Sequence, residues 1–194
     1  MKVLFILFAF LPSILGAEML SHKEVIKMCK NACVEKENGV CTHRGYRDCD
    51  FISSIARKES SYNTEAFNPE VTGSYGLMQI QCSTARNVGL KYGCEQLFNP
   101  IINIRFAIRY ILSLEKKLKG YTTDDLFAAY NAGLKTKKGK DGASYTVKRC
   151  KRYRRFSWHG MPTVICYKGE YINQEYVWHS RRYYDLLKRE KSGL

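Results

Sequence analysis

The chain has 194 residues, a length that suits one domain with a core of useful size. Lysine and arginine number 32 against 18 aspartates and glutamates, a net charge of +14. That balance points to a polyanionic neighbour, whether nucleic acid, an anionic membrane or a wall rich in carboxylates and phosphates, and away from acid-rich function classes. In chain order, the opening stretch "MKVLFILFAFLPSILGA" has one early lysine, an apolar run and small residues at its end. It reads as a secretory leader over residues 1–17, cleaved after Ala17. The run is too short to span a bilayer comfortably, and no cysteine at the junction offers a lipid attachment point. An exported product without a stable membrane anchor is expected, periplasmic or extracellular. Lys2 is the leader's one charged residue, so 31 basic residues then face 18 acidic ones, a net +13.

Residues 18–47 form a cysteine-rich extension with a short helical pattern at "HKEVIKMCKNAC" and a loop containing "ENG". All eight cysteines follow the leader, and an even count in an exported chain reads as four disulfides. Short loops favour Cys82–Cys94 and Cys150–Cys166. Cys29, Cys33, Cys41 and Cys49 are left unassigned, with disulfides preferred over zinc because their spacings match no common finger. Eight thiols allow roughly a hundred pairings.

A domain is expected over 48–194. Asp48 or Asp50 caps a helix that runs to about Ser61 and carries Phe51, Ile52, Ile55 and Ala56 at helical spacing. "NPEVTGSYG" is a turn-rich segment. After "FNP" a helix buries Ile101, Ile104, Ile108, Ile111, Leu112 and Leu118, and Gly120 closes it. "TTDD" opens another, which ends at Gly133 and turns Leu126, Ala129 and Tyr130 inward. Residues 134–173 read as a basic, cysteine-containing insertion: "KTKKGKDGAS" as a charged loop, then "YTVKRCKRYRRF" and "TVICYKGEYI" as a hairpin. A last helix, "QEYVWHSRRYYDLLKRE", buries a stripe of Tyr176, Val177, Ser180, Tyr183, Tyr184 and Leu187. The fold class is mainly α, a disulfide-stapled single domain with a minor β element.

One residue breaks the pattern. Glu59 sits four residues beyond Ile55, on the apolar stripe, where an acid is paired or used. Burial and the negative end of its own helix both disfavour its anion. That is what a general acid near neutral pH requires. The bland reading is a rim glutamate paired with Arg57 or Lys58.

Three islands decide between these readings: "ARKESSYN" with Glu59, "GSYGLMQIQCSTA" with Gly76, Leu77, Met78, Gln79 and Ile80, and "FAAYNAG" with Tyr130 and Asn131. In order and wording they resemble the signature of the soluble lytic transglycosylases, lysozyme-like enzymes that cleave peptidoglycan. The resemblance covers roughly residues 48–133, and Tyr176–Val177 is similar to the family's closing motif. It implies a lysozyme-like fold, Glu59 as the single catalytic acid and base, and no cofactor or metal. Substrate-binding roles follow for Ser60, Gly76, Leu77, Met78, Gln79, Tyr130, Asn131 and Tyr176. Gly76 is expected where backbone runs close to a sugar or takes a positive φ. Met78 is expected to meet a sugar face, Gln79 to reach Glu59 or an N-acetyl group, and Tyr130 to aim its hydroxyl at Glu59. Each also has an ordinary structural reading, and for Tyr176 a core position is the stronger one, since "INQEYV" lacks the family's usual Glu-Thr pair. Cys82 stands where the family often has proline, and Ala107 where it often has glycine.

The implied activity is cleavage of the β-1,4 bond between N-acetylmuramic acid and N-acetylglucosamine, with a 1,6-anhydro product. A goose-type-lysozyme-like hydrolase and a non-catalytic wall- or polyanion-binding module are the alternatives. Expected partners are peptidoglycan strands and anionic wall polymers, not nucleic acid, with the chain a monomer. The basic run Lys148, Arg149, Lys151, Arg152, Arg154 and Arg155 fits either polyanion contact or a solvated edge strand.

Overall fold

In the computed structural model, an acid-bearing helix, α2 (Cys49–Ser60), runs through the centre of the chain's core. Residues 19–70, 73–139, 142–149, 157–158, 161–162 and 170–193 are described. The leader, Cys150, Cys166 and most of the basic run lie outside them, as do residues 150–156 and 163–169 of the expected hairpin segments "YTVKRCKRYRRF" and "TVICYKGEYI". Asp48 caps α2 by accepting the Phe51 amide, so the first of the two expected caps is the one used. Ile52, Ile55 and Ala56 are fully buried. Ser61, with φ +54°, ends the helix and donates its amide to the Arg57 carbonyl.

The extension is part of the same core. α1 (His22–Asn31) starts at a reciprocal cap in which Ser21 and Glu24 satisfy each other's backbone amides, and it buries Val25 and Cys29 against α2. The "ENG" loop proves to be a hairpin tip. β1 (Cys33–Glu37) pairs antiparallel with β2 (Val40–Arg44), and Asn38 and Gly39, both at positive φ, make the turn. Disulfides Cys29–Cys49 and Cys33–Cys41 staple this region, and Cys82–Cys94 is the pair expected from its short loop.

Beyond α2, three two-residue strands form one small sheet: β3 (Phe67–Asn68), β4 (Ser74–Tyr75) and β5 (Ile80–Gln81). α3 (Cys82–Asn87) follows, then a short 3-10 turn (Cys94–Phe98). α4 (Pro100–Lys117) is entered through Asn99, whose side chain accepts two first-turn amides. It stops at Lys117, three residues short of Gly120, and its inward face differs from expectation at Ile101, which is 47% exposed. The position that goes inside is Asn103, fully buried. α5 (Thr123–Ala132) carries a capping box from Thr122 and Asp125 and ends at Gly133.

The described residues of the expected charged loop "KTKKGKDGAS" are strand and not loop. β6 (Leu134–Gly139) pairs with β7 (Gly142–Val147) along their full length. A two-residue pair, β8 (Ser157–Trp158) with β9 (Met161–Pro162), follows. α6 (Gln174–Ser192) returns across α2 and α5, burying Tyr176, Val177 and Ser180, whereas Tyr183, Tyr184 and Leu187 are only partly covered. At its far end Lys191 bonds the buried Asp50 carboxylate at 2.6 and 2.8 Å, and Tyr184 donates to Asp48 at 2.6 Å. No described helix is long and apolar enough to cross a membrane.

Candidate active site

A cleft of about 420 Å³ opens between the last turns of α2 and α5 on one side and the β3–β5 sheet on the other. Glu59 lines it from α2, and Tyr130, Asn131, Ala132 and Gly133 line it from the end of α5. The sheet side supplies Asn68, Ser74, Gln79, Ile80 and Gln81, and Tyr110 and Thr84 complete the lining. Among the described residues lining this cleft, Glu59 is the one acid.

Glu59 is half-buried. Desolvation raises its pKa to about 7, opposed by a hydrogen bond from Tyr176 and by the nearby Lys58 ammonium. The Tyr176 hydroxyl donates to Glu59 Oε1 at 2.7 Å. Tyr176 is itself buried, so it holds one carboxyl oxygen from the protein side and leaves the other for the cleft. Tyr176 takes the core position expected of it and in addition bonds the acid. The Tyr-Val motif marked the position but not its bond to Glu59, because α6 arrives at α2 from 117 positions away.

Tyr130 does the converse. Its hydroxyl donates to the Met78 carbonyl at 2.8 Å and not to Glu59. Its ring still lines the cleft.

The segment Gly76–Gln79 is a tight turn in which the amides of Gly76, Met78 and Gln79 and the carbonyls of Gly76, Leu77 and Met78 are hydrogen-bonded. Gly76 has φ +64°, and a Cβ there would lie 2.4 Å from the Leu97 carbonyl oxygen, so both its conformation and its surroundings require glycine. Gln79 sits at φ +44°, an uncommon conformation for a residue with a side chain, and donates from Nε2 to the carbonyls of Ala66 and Gly76, both at 2.9 Å. Its amide therefore braces the turn at the cleft wall and makes no bond to Glu59. Leu77 and Met78 are fully buried and do not line the cleft, so neither offers a sugar-contacting surface in this arrangement. Enclosure in the core accounts for both. Ser60 donates to the Leu77 carbonyl at 2.8 Å, tying the acid's helix to the turn. Asn131 is exposed at the rim and accepts from Asn173 at 2.8 Å.

Asn103 organises the turn, and sequence reasoning missed it. Its Oδ1 accepts the Met78 amide at 2.8 Å, and its Nδ2 donates to the carbonyls of Tyr75 and Leu97, both at 2.7 Å. The one sequence signal was an amide interrupting an isoleucine-rich helix face. The neutral polar set Asn68, Ser74, Gln81 and Thr84 was also missed, because short strands and turns give no periodicity to read.

A half-buried carboxyl kept protonatable near neutrality, facing neutral amides and hydroxyls between a helical body and a small sheet, defines a lysozyme-like domain built for acid chemistry on a neutral polar ligand. The Transglycosylase SLT domain model matches residues 42–152, more than half of the chain. The chain belongs to this family of enzymes. Lysozyme C from Ortalis vetula is 30% identical over 134 residues, 66% of this chain and 99% of its own. The membrane-bound lytic murein transglycosylase F of Aliivibrio fischeri is 28% identical over 166 residues, 75% of this chain but 31% of its own. Protein IpgF of Shigella flexneri is 28% identical over 132 residues, 59% of this chain and 85% of its own. The crystal structure of the 70 kDa soluble lytic transglycosylase from Escherichia coli aligns with a TM-score of 0.41 at 30% identity, over 45% of this chain and 15% of that one. This chain thus spans only a minor part of the larger transglycosylases it resembles.

Proposed function

We propose that the chain is an exported lytic transglycosylase that cleaves the β-1,4 bond between N-acetylmuramic acid and N-acetylglucosamine in peptidoglycan. One observation carries this reading: Glu59, with a pKa of about 7, is the sole acid among the described residues lining the cleft. A water-using glycosidase ordinarily needs a second carboxylate across the scissile bond, as nucleophile or as base. Here that wall presents Asn68, Ser74, Gln79 and Gln81.

A single carboxyl suffices if the substrate supplies its own nucleophile. Glu59 protonates the glycosidic oxygen, the bond from the anomeric carbon to that oxygen breaks, and N-acetylglucosamine leaves as an alcohol. The Glu59 carboxylate then takes the proton from the muramyl 6-hydroxyl as that oxygen bonds to the anomeric carbon. Glu59 ends protonated as it began, no water is consumed, and the product is a 1,6-anhydro sugar. Attack within one ring gains from proximity. Tyr176 keeps the carboxyl oriented through both proton transfers.

The lysozyme C relative favours a second reading, a hydrolase on the same glycan. Digestion of purified sacculi followed by mass spectrometry separates the two, since a hydrolase product carries one added water at its reducing end. Anhydromuramyl products are expected, with none from Glu59→Gln. Reducing ends would establish the hydrolase, and absence of cleavage by the unaltered protein would leave a binding module.

A further inference from the structure

A second hollow, of about 350 Å³, lies on the other side of α4 and shares no lining residue with the cleft. Its charged lining is all of one sign: Lys36 from β1, Lys91 from the turn after α3, and Arg105 and Arg109 from α4. The floor is apolar, with Leu90 and Phe106 nearly buried, and Tyr92 stands at the rim 71% exposed. Like charges gathered over a low-dielectric floor repel unless an anion joins them.

The guanidiniums carry the argument further. Arg109 is anchored by the protein: Nε donates to the Val34 carbonyl at 2.5 Å and Nη1 to the Val88 carbonyl at 3.2 Å. Gly89, at φ +105°, makes room for it, since a Cβ there would sit 2.9 Å from Arg109 Nη1. Arg105 has no such anchor. Its Nε is buried and finds no acceptor, and a buried donor left unpaired is unfavourable. The two arginines also oppose each other, which together with burial lowers the Arg109 pKa. Glu35 acts in the opposite sense on Arg109, but it does not line the hollow.

We propose that this hollow binds a phosphate group of an anionic polymer, held among Lys36, Lys91, Arg105 and Arg109. Phosphate fits better than carboxylate for two reasons. Its oxygens point in several directions and so meet donors arriving from three separate elements, whereas a carboxylate presents two coplanar oxygens. It also carries or shares more negative charge against four cations. A polymer fits better than a free ion because the exposed Tyr92 ring, beside Lys91, gives a flat face to the unit next to the phosphate. The site is independent of catalysis: it would hold the enzyme on a phosphate-bearing wall polymer while the cleft works on glycan.

The test is a titration of the intact, disulfide-bonded protein with inorganic phosphate and then with short polyphosphate at low salt, followed by amide chemical shifts. Shifts are expected at Gly89–Tyr92 and Cys33–Lys36, with the Gly76–Gln79 amides unmoved. Lys91→Gln/Arg105→Gln should weaken polyphosphate binding about tenfold, with sacculus digestion unchanged. The same charge loss on α6, Arg182→Gln/Arg189→Gln, should have little effect. If Arg105→Gln does not fold, the exposed pair Lys36→Gln/Lys91→Gln takes its place, and the shift map of the unaltered protein decides alone. Shifts spread over the whole basic surface, or equal weakening by both charge-matched pairs, would overturn the proposal. So would citrate binding as tightly as polyphosphate, or binding confined to anionic phospholipid vesicles.

Discussion

Glu59 keeps its proton because water is withdrawn from around it faster than positive charge is brought near. The Tyr176 hydroxyl and Lys58 both favour the anion, yet desolvation outweighs them and the pKa settles near 7. The falling limb of kcat/KM against pH is therefore expected at about 7. Tyr176→Phe removes a donor that favours the anion, so that limb should move to higher pH while kcat drops about tenfold or more. A tyrosine with a purely packing role would leave the limb in place. The same group makes stability pH-dependent. In the folded chain Glu59 holds its proton to about 7 and in the unfolded chain to about 4.5, so between these values the folded chain binds more proton and stability falls as pH rises. Glu59→Gln should thus raise stability by about 1–2 kcal/mol near pH 8, after allowing for partial exposure, and change it little near pH 4. Urea melts of both proteins at the two pH values check this. An acid that costs stability is the trade expected if Glu59 has the catalytic role proposed for it.

At the scale of elements, the cleft wall depends on Asn103 more than on any residue that touches the cleft. Its amide satisfies one donor and two acceptors around the Gly76–Gln79 turn, and nothing else in the described structure replaces it. Asn103→Leu leaves those groups buried and unpaired, at a cost of about 3 kcal/mol or more. A lower urea midpoint with an unchanged m-value is expected, together with weaker substrate binding from a loosened turn. Helices were legible from sequence because burial on one face of α2, α4, α5 and α6 imposes a period on residue type. The β6–β7 ribbon was not. Its lysine-rich first strand is paired through backbone hydrogen bonds, which require no apolar alternation and leave no trace in composition.

For the whole molecule, α2 is held from both ends of the chain. Cys29–Cys49 ties its first residue to α1, and Lys191 from the end of α6 closes on Asp50. These ties set where the acid-bearing last turn lies against α6. Cys29→Ser/Cys49→Ser opens a loop of 20 residues and should cost about 3 kcal/mol, or roughly 6–12 °C in Tm by calorimetry. If α2 also shifts against α6, Tyr176 loses Glu59 and activity falls more steeply than stability.

The order of residues along the chain was enough to single out Glu59, because an acid on an apolar helical stripe is anomalous wherever that helix packs. It was also enough for the helical class and for the Cys82–Cys94 pair, since both follow from short-range spacing. Only the tertiary structure decided which tyrosine serves the acid, that Met78 and Leu77 are core, that Asn103 holds the turn, and that four cations from three elements share one hollow. Those facts depend on contacts between segments tens of residues apart, and the spacing of neighbours along a chain carries no record of them.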